Sequence, residues 1–91
     1  MKVKFPILIK GAHQFNTLMV FLKGHDIVWA DGDELMNYND FCKSEGFVKF
    51  PIYILYNPPA YNIRGKFCEL GSIYYRELNE DWDNKEVEVE I

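Results

Sequence analysis

Catalysis or metal binding needs reactive side chains that can converge, and few of the 91 residues offer them. The metal-ligating types are His13, His25, Cys42 and Cys68, and no two lie closer than twelve residues. Structural zinc sites draw their ligands in pairs only a few residues apart, yet the chain has no CxxC, HxxxH or HExxH. No metal is expected. Nucleophilic catalysis by cysteine needs a lowered thiol pKa and an oxyanion loop, and neither thiol has such a setting in sequence. Both cysteines read as small buried hydrophobes, with Cys42 on the apolar stripe of a helix. The six glycines stand singly, so there is no phosphate-cradling loop or dinucleotide fingerprint, and no cofactor is expected. Asp31 and Asp33 lack the twelve-residue calcium-loop pattern and read as capping residues. A non-enzymatic protein follows.

Binding is the remaining chemistry. The stretch Tyr56-Asn-Pro-Pro-Ala-Tyr61-Asn-Ile-Arg64-Gly-Lys66 gathers rigid aromatics and cations in a loop, the residue types that dominate interface energies. Tyr56 and Tyr61 would form an aromatic centre. Arg64, Lys66 and the acidic turn with Asp81, Trp82 and Asp83 would form a polar rim, so these seven residues are the candidate partner-binding set. The same tyrosines, if turned inward, would instead cover a sheet.

The elements that must position these residues follow from periodicity. Residues 2–9 alternate as a strand in which Pro6, lacking an N–H, marks an edge or bulge. Phe15, Leu18, Met19 and Leu22 form a helical stripe from Ala12 to Lys23, widened by Val20 and Phe21 and stopped by Gly24. A strand at 27–30 follows. Asp31 and Glu34 resemble a capping box for a second helix through Leu35, Tyr38, Phe41 and Cys42, closed by Gly46. Residues 47–57 read as a central strand covered on both faces, and 66–70 continuing through 73–78 as another, bent at Gly71. Residues 79–85 make a turn before a last strand in which Val87, Val89 and Ile91 alternate with Glu86, Glu88 and Glu90.

The expected architecture is α+β: one mixed sheet of about five strands in the order β-α-β-α-β-β-β, with one or two helices on one face, forming a single domain over 1–91. A helix of this length lets the first two strands run parallel in that sheet. The first and last strands are expected to be neighbours, because Lys2 and Lys4 would face Glu86, Glu88 and Glu90. Phe15, Leu18, Met19, Leu22, Trp29, Ile52 and Ile54 are the expected core.

Composition narrows the class. With 48% hydrophobic, 16% aromatic and 26% charged residues the chain is globular, and its size leaves room for one core. Two cysteines are too few for a disulfide scaffold, and no apolar run approaches the length of a membrane span, which together suggest a cytoplasmic protein without a membrane partner. The net charge of −4 is concentrated at the end, where seven acids from Glu77 to Glu90 face Lys85 alone. Such a region disfavours duplex nucleic acid and attracts basic surfaces.

The segment Phe15 to Leu35, FNTLMVFLKGHDIVWADGDEL, resembles a strand-helix-WxxG pattern of small uncharacterised tailed-phage accessory proteins. The resemblance spans about a third of the chain. It implies action in the cytoplasm of an infected bacterium, and the family brings no established activity or catalytic residues. The resulting expectation is a small protein–protein interaction module that binds and inhibits a host protein. Two alternatives are an acidic mimic of nucleic acid and a single-strand binder using the tyrosine and arginine loop, with Tyr53 assisting Tyr56, Tyr61, Arg64 and Lys66.

Overall fold

The computed structural model describes residues 1–61, 65, 67–68, 71–77 and 86–91. In chain order the elements are β1 (Lys2–Phe5), β2 (Ile7–Ile9), α1 (Ala12–Lys23), β3 (Val28–Trp29), α2 (Tyr38–Glu45), β4 (Ile52–Asn57), β5 (Ala60–Tyr61), β6 (Phe67–Cys68), β7 (Ser72–Glu77) and β8 (Val87–Glu90). The class is α+β.

The sheet arrangement corrects the expectation of one five-stranded sheet. A four-stranded mixed sheet has the order β2-β4-β7-β3, while β1-β8 and β5-β6 form separate two-stranded ribbons. Proline and glycine explain the division. Pro6 cannot donate to a ladder, and the expected strand over 2–9 splits there: β1 pairs with β8 and β2 pairs with β4. Pro51 likewise precedes β4, which begins at Ile52 and leaves Phe47 outside it and 85% exposed. Gly71, at φ 94°, separates β6 from β7. A Cβ at position 71 would lie within contact of the Tyr56 ring as well, so both backbone conformation and close approach demand glycine.

Neighbouring pairings leave β2 and β3 running in the same direction at opposite edges of the four-stranded sheet. The expected parallel relation of the first two strands therefore holds, with β4 and β7 between them, and α1 carries the chain from one edge to the other. Helix α1 occupies the expected span and turns Phe15, Met19 and Leu22 into the core. Leu18 is half-buried at its margin, and Val20 is 75% exposed instead of widening the buried stripe. Trp29, Leu35, Phe41, Ile52, Ile54 and Ile73 share the centre with Phe5, Ile9, Ile27 and Val48.

Helix α2 starts later than the Asp31 to Glu34 pattern suggests. Asp31 Oδ1 accepts from the Asp33 N–H at 2.9 Å in a local turn, and Asn37 caps the helix by accepting from Asp40 N–H at 2.9 Å. Gly46, at φ 82°, closes it by donating to the Cys42 carbonyl at 2.8 Å. The expected neighbourhood of first and last strands is present: Lys2 lies 3.4 Å from Glu88 and Lys4 3.6 Å from Glu86, one diagonal step along the ladder.

Candidate functional site

Strand β3 spans two residues and its neighbour β7 spans six, so the sheet edge beyond Ile73 is not lined by β3. The chain leaves that edge in a tight turn. Ala30 N–H donates to the Ile73 carbonyl at 2.9 Å, Gly32 N–H to the Trp29 carbonyl at 2.8 Å and Trp29 N–H to the Asp33 carbonyl at 2.9 Å. Gly32 takes φ 93°, a conformation that suits glycine in such a turn. This folding back sets Asp31 and Asp33 beside the open sheet edge, opposite the last turn of α2.

Between them lies a cleft of about 250 Å³, whose lining includes Trp29, Asp31, Asp33, Glu45 and Arg76. Its walls are aromatic. Phe41 stacks on Trp29 with centroids 5.2 Å apart and meets Tyr75 edge-on at 5.3 Å, while the Arg76 guanidinium lies 5.2 Å from the Tyr74 ring centre. Ser44, exposed on α2, stands at the mouth. Three carboxylates against one guanidinium make the lining net acidic.

Trp29 lines this cleft and is only 7% exposed. Its indole Nε1 is the one buried side-chain polar atom without a hydrogen-bond partner among the described residues. Leaving such a donor unpaired costs about 1–3 kcal/mol, and native proteins seldom tolerate it without a reason.

A second concavity of about 640 Å³ runs along α1, between Val20 and Lys23 on one side and Glu34, Leu35 and Asp40 on the other. Asp33 and Met36 line both hollows. Lys23 and Glu34 approach to 3.7 Å at its rim. The two helices are tied beside it, since Tyr38 N–H donates to Asn16 Oδ1 at 2.7 Å. The Tyr38 hydroxyl donates to the Val48 carbonyl at 2.8 Å, and the adjoining Cys42 side chain together with burial pushes its pKa upward. Cys42 is a half-buried free thiol. No group of three or more His, Cys, Asp or Glu is arranged to hold a metal among the described residues.

The residues singled out from sequence are placed differently. Tyr56 is half-buried on β4, stacks on Phe5 at 5.4 Å, covers Gly71, and has its pKa raised by burial. Its ring is thus engaged in packing, the inward arrangement weighed beside the binding one. Tyr53, on the same strand, is half-buried. Tyr61 pairs through its backbone with Phe67, and its side chain lies outside the described residues. Arg64, Lys66, Asp81, Trp82 and Asp83 also lie outside them. The cleft residues were visible in sequence under other headings: Trp29 as core, and Asp31 and Asp33 as caps. One signal pointed further, because a tryptophan placed in a core carries an N–H that must be paired.

No helix among the described residues is long and apolar enough to cross a membrane. No family model matches the chain, and comparison with curated proteins and with solved structures gives no match.

Proposed function

We propose that the chain is a small, non-enzymatic protein-binding module that docks a basic partner segment on the face holding the Trp29 cleft and the groove along α1. The observation carrying this reading is the cleft itself, with its aromatic walls and net acidic lining. Its volume lies just below the range of pockets built for drug-sized ligands, which suits one anchoring side chain from a larger partner. The acidic excess selects a cationic surface and speeds its approach. The resemblance to phage accessory proteins extends the proposal to a host protein as partner and to inhibition in a bacterial cytoplasm as outcome.

A displayed random-peptide library selected on the purified protein tests this. Peptides of net positive charge should be recovered, bind more weakly at high salt, and lose binding to Ser44→Phe, which blocks the mouth from an exposed position. A thermal midpoint for Ser44→Phe matching the parent shows that the fold is kept. Recovery of no peptide, or of peptides indifferent to Ser44→Phe, overturns the reading.

A further inference from the structure

The bonding pattern of the β1–β8 ribbon fixes which way its backbone groups point. Met1 and Ile91 exchange a pair of hydrogen bonds, the Ile91 N–H donating to the Met1 carbonyl at 2.8 Å and the terminal amine donating to the Ile91 carbonyl at 3.2 Å. In an antiparallel ladder such pairs alternate with pairs that exchange no bonds, and here the register opposes Lys2 to Glu90, Val3 to Val89, Lys4 to Glu88 and Phe5 to Val87. Val3 with Val89 and Phe5 with Val87 are therefore the bonded pairs. The N–H and C=O groups of Glu88 and Glu90 point the other way, to the side of β8 away from β1. Among the described residues no second strand pairs with β8, and Glu86, Val87 and Glu88 are exposed. An open edge of this kind is a template for one more strand.

The pleat decides what that strand must carry, because residues directly opposite one another on neighbouring strands share a face. An added strand meets Glu86, Glu88 and Glu90 on one face and Val87, Val89 and Ile91 on the other. Strand β1 shows the pattern that β8 accepts on its inner side, since KVKF sets lysines against glutamates and apolar residues against valines. Each glutamate meets its cation through Oε1, and its second oxygen has no partner among the described residues. A second copy of β8 would set glutamate against glutamate, so the residues that suit a cationic strand repel this chain's own edge. A second copy offering its β1 would stack head to tail without closing.

We propose that the outer edge of β8 is a strand-addition site for an extended segment of another protein in which lysine or arginine alternates with apolar residues. The backbone of Glu88 and Glu90 supplies the hydrogen bonds, and cations opposite the glutamates set the register. Apolar residues of the segment extend the face on which Val89 and Ile91 pack against the core and Val87 stands 47% exposed. This surface is separate from the Trp29 cleft, whose lining includes no residue of β8.

Amide hydrogen exchange followed by NMR reads the edge residue by residue. In the free protein the Val89 amide, bonded to Val3, should exchange about tenfold or more slowly than the outward Glu88 amide. A short capped peptide of alternating lysine and valine should slow the Glu88 and Glu90 amides saturably, and should do so equally in Ser44→Phe. A matching peptide of glutamate and valine should leave both amides unchanged. Two further lysine–valine peptides, N-methylated on every lysine or on every valine, separate strand pairing from attraction by charge. A strand bonds its neighbour through alternate residues, so one methylated peptide should lose binding about tenfold or more while the other keeps it. Equal binding of the two shows adherence by charge alone and overturns the site. A Glu88 amide already protected in the free protein, or one that the lysine–valine peptide leaves unprotected, overturns it as well. A sedimentation mass that rises with protein concentration, without peptide, gives the edge to a second copy and overturns the partner. Failure here leaves the Trp29 cleft reading standing, because that reading depends on Ser44 and this one does not.

Discussion

Acidic side chains gather in the β1–β8 ribbon and around the Trp29 cleft, and the two places assemble them in different ways. In the ribbon Glu90 lies 3.1 Å from the terminal amine, Glu88 3.4 Å from Lys2 and Glu86 3.6 Å from Lys4. Each carboxylate has a cation within reach on the neighbouring strand. In the cleft, Asp31, Asp33 and Glu45 share the lining with Arg76, the one cation there among the described residues. The contrast teaches that a run of acids in sequence measures formal charge, whereas charge offered to a partner depends on what the fold places opposite. Glu86, Glu88 and Glu90 alternate along one stretch and meet their cations across the ribbon, whereas Asp31, Asp33 and Glu45, scattered in sequence, converge on one cleft.

Substitutions can break or sharpen that contrast. The largest effect is expected at the cleft wall: Phe41→Ala removes a buried ring packed on Phe15, Trp29 and Tyr75, and should cost about 3–5 kcal/mol in chemical denaturation. Next comes Gly71→Ala, which meets both the positive φ and the Tyr56 ring, and should lower stability by about 2 kcal/mol or more. Trp29→Phe should change stability by no more than about 1 kcal/mol, because lost packing is offset by removing an unpaired donor. That near-neutrality, measured beside lost peptide binding, would mark Trp29 as a binding residue as much as a core one. In the ribbon, Lys2→Ala with Lys4→Ala should cost less than about 1 kcal/mol per ion pair, and the cost should fade in high salt. A loss that persists at high salt would show that the ribbon depends on those lysines for more than charge.

The smallest effect appears only in alkali. The folded chain holds the Tyr38 and Tyr56 hydroxyls protonated above the ordinary tyrosine value of about 10. Their contribution is therefore complete at neutral pH and is lost as pH rises through the raised values. Denaturation midpoints should fall above about pH 10, less steeply in Tyr38→Phe and least in the Tyr38→Phe, Tyr56→Phe double variant.

Periodicity made the helices and the buried face of α1 legible, since Phe15, Met19 and Leu22 have no alternative face on which to fall together. The charges on residues 2–4 and 86–90 made the ribbon legible. Sheet membership was hidden at Pro6 and Gly71, where one apolar pattern continues across a change of partner strand. The start of α2 was hidden because Asp31 and Asn37 both cap, and tertiary placement decided that Asp31 serves a turn. The cleft was the least legible feature. It arises from the unequal lengths of β3 and β7 and from the placement of the last turn of α2 beside them, and neither has a periodicity.

The pairing of Lys2 with Glu90 joins residues near opposite ends of the chain. Closing so large a loop carries an entropic cost that three surface-exposed ion pairs do not repay, so the ribbon depends on the core it packs against through the buried Phe5. A ribbon that closes after the rate-limiting step of folding governs how fast the native state opens and leaves the rate at which it is reached almost unchanged. Formed in that order, the ribbon would be a kinetic clasp, setting the lifetime of a structure whose assembly it does not direct.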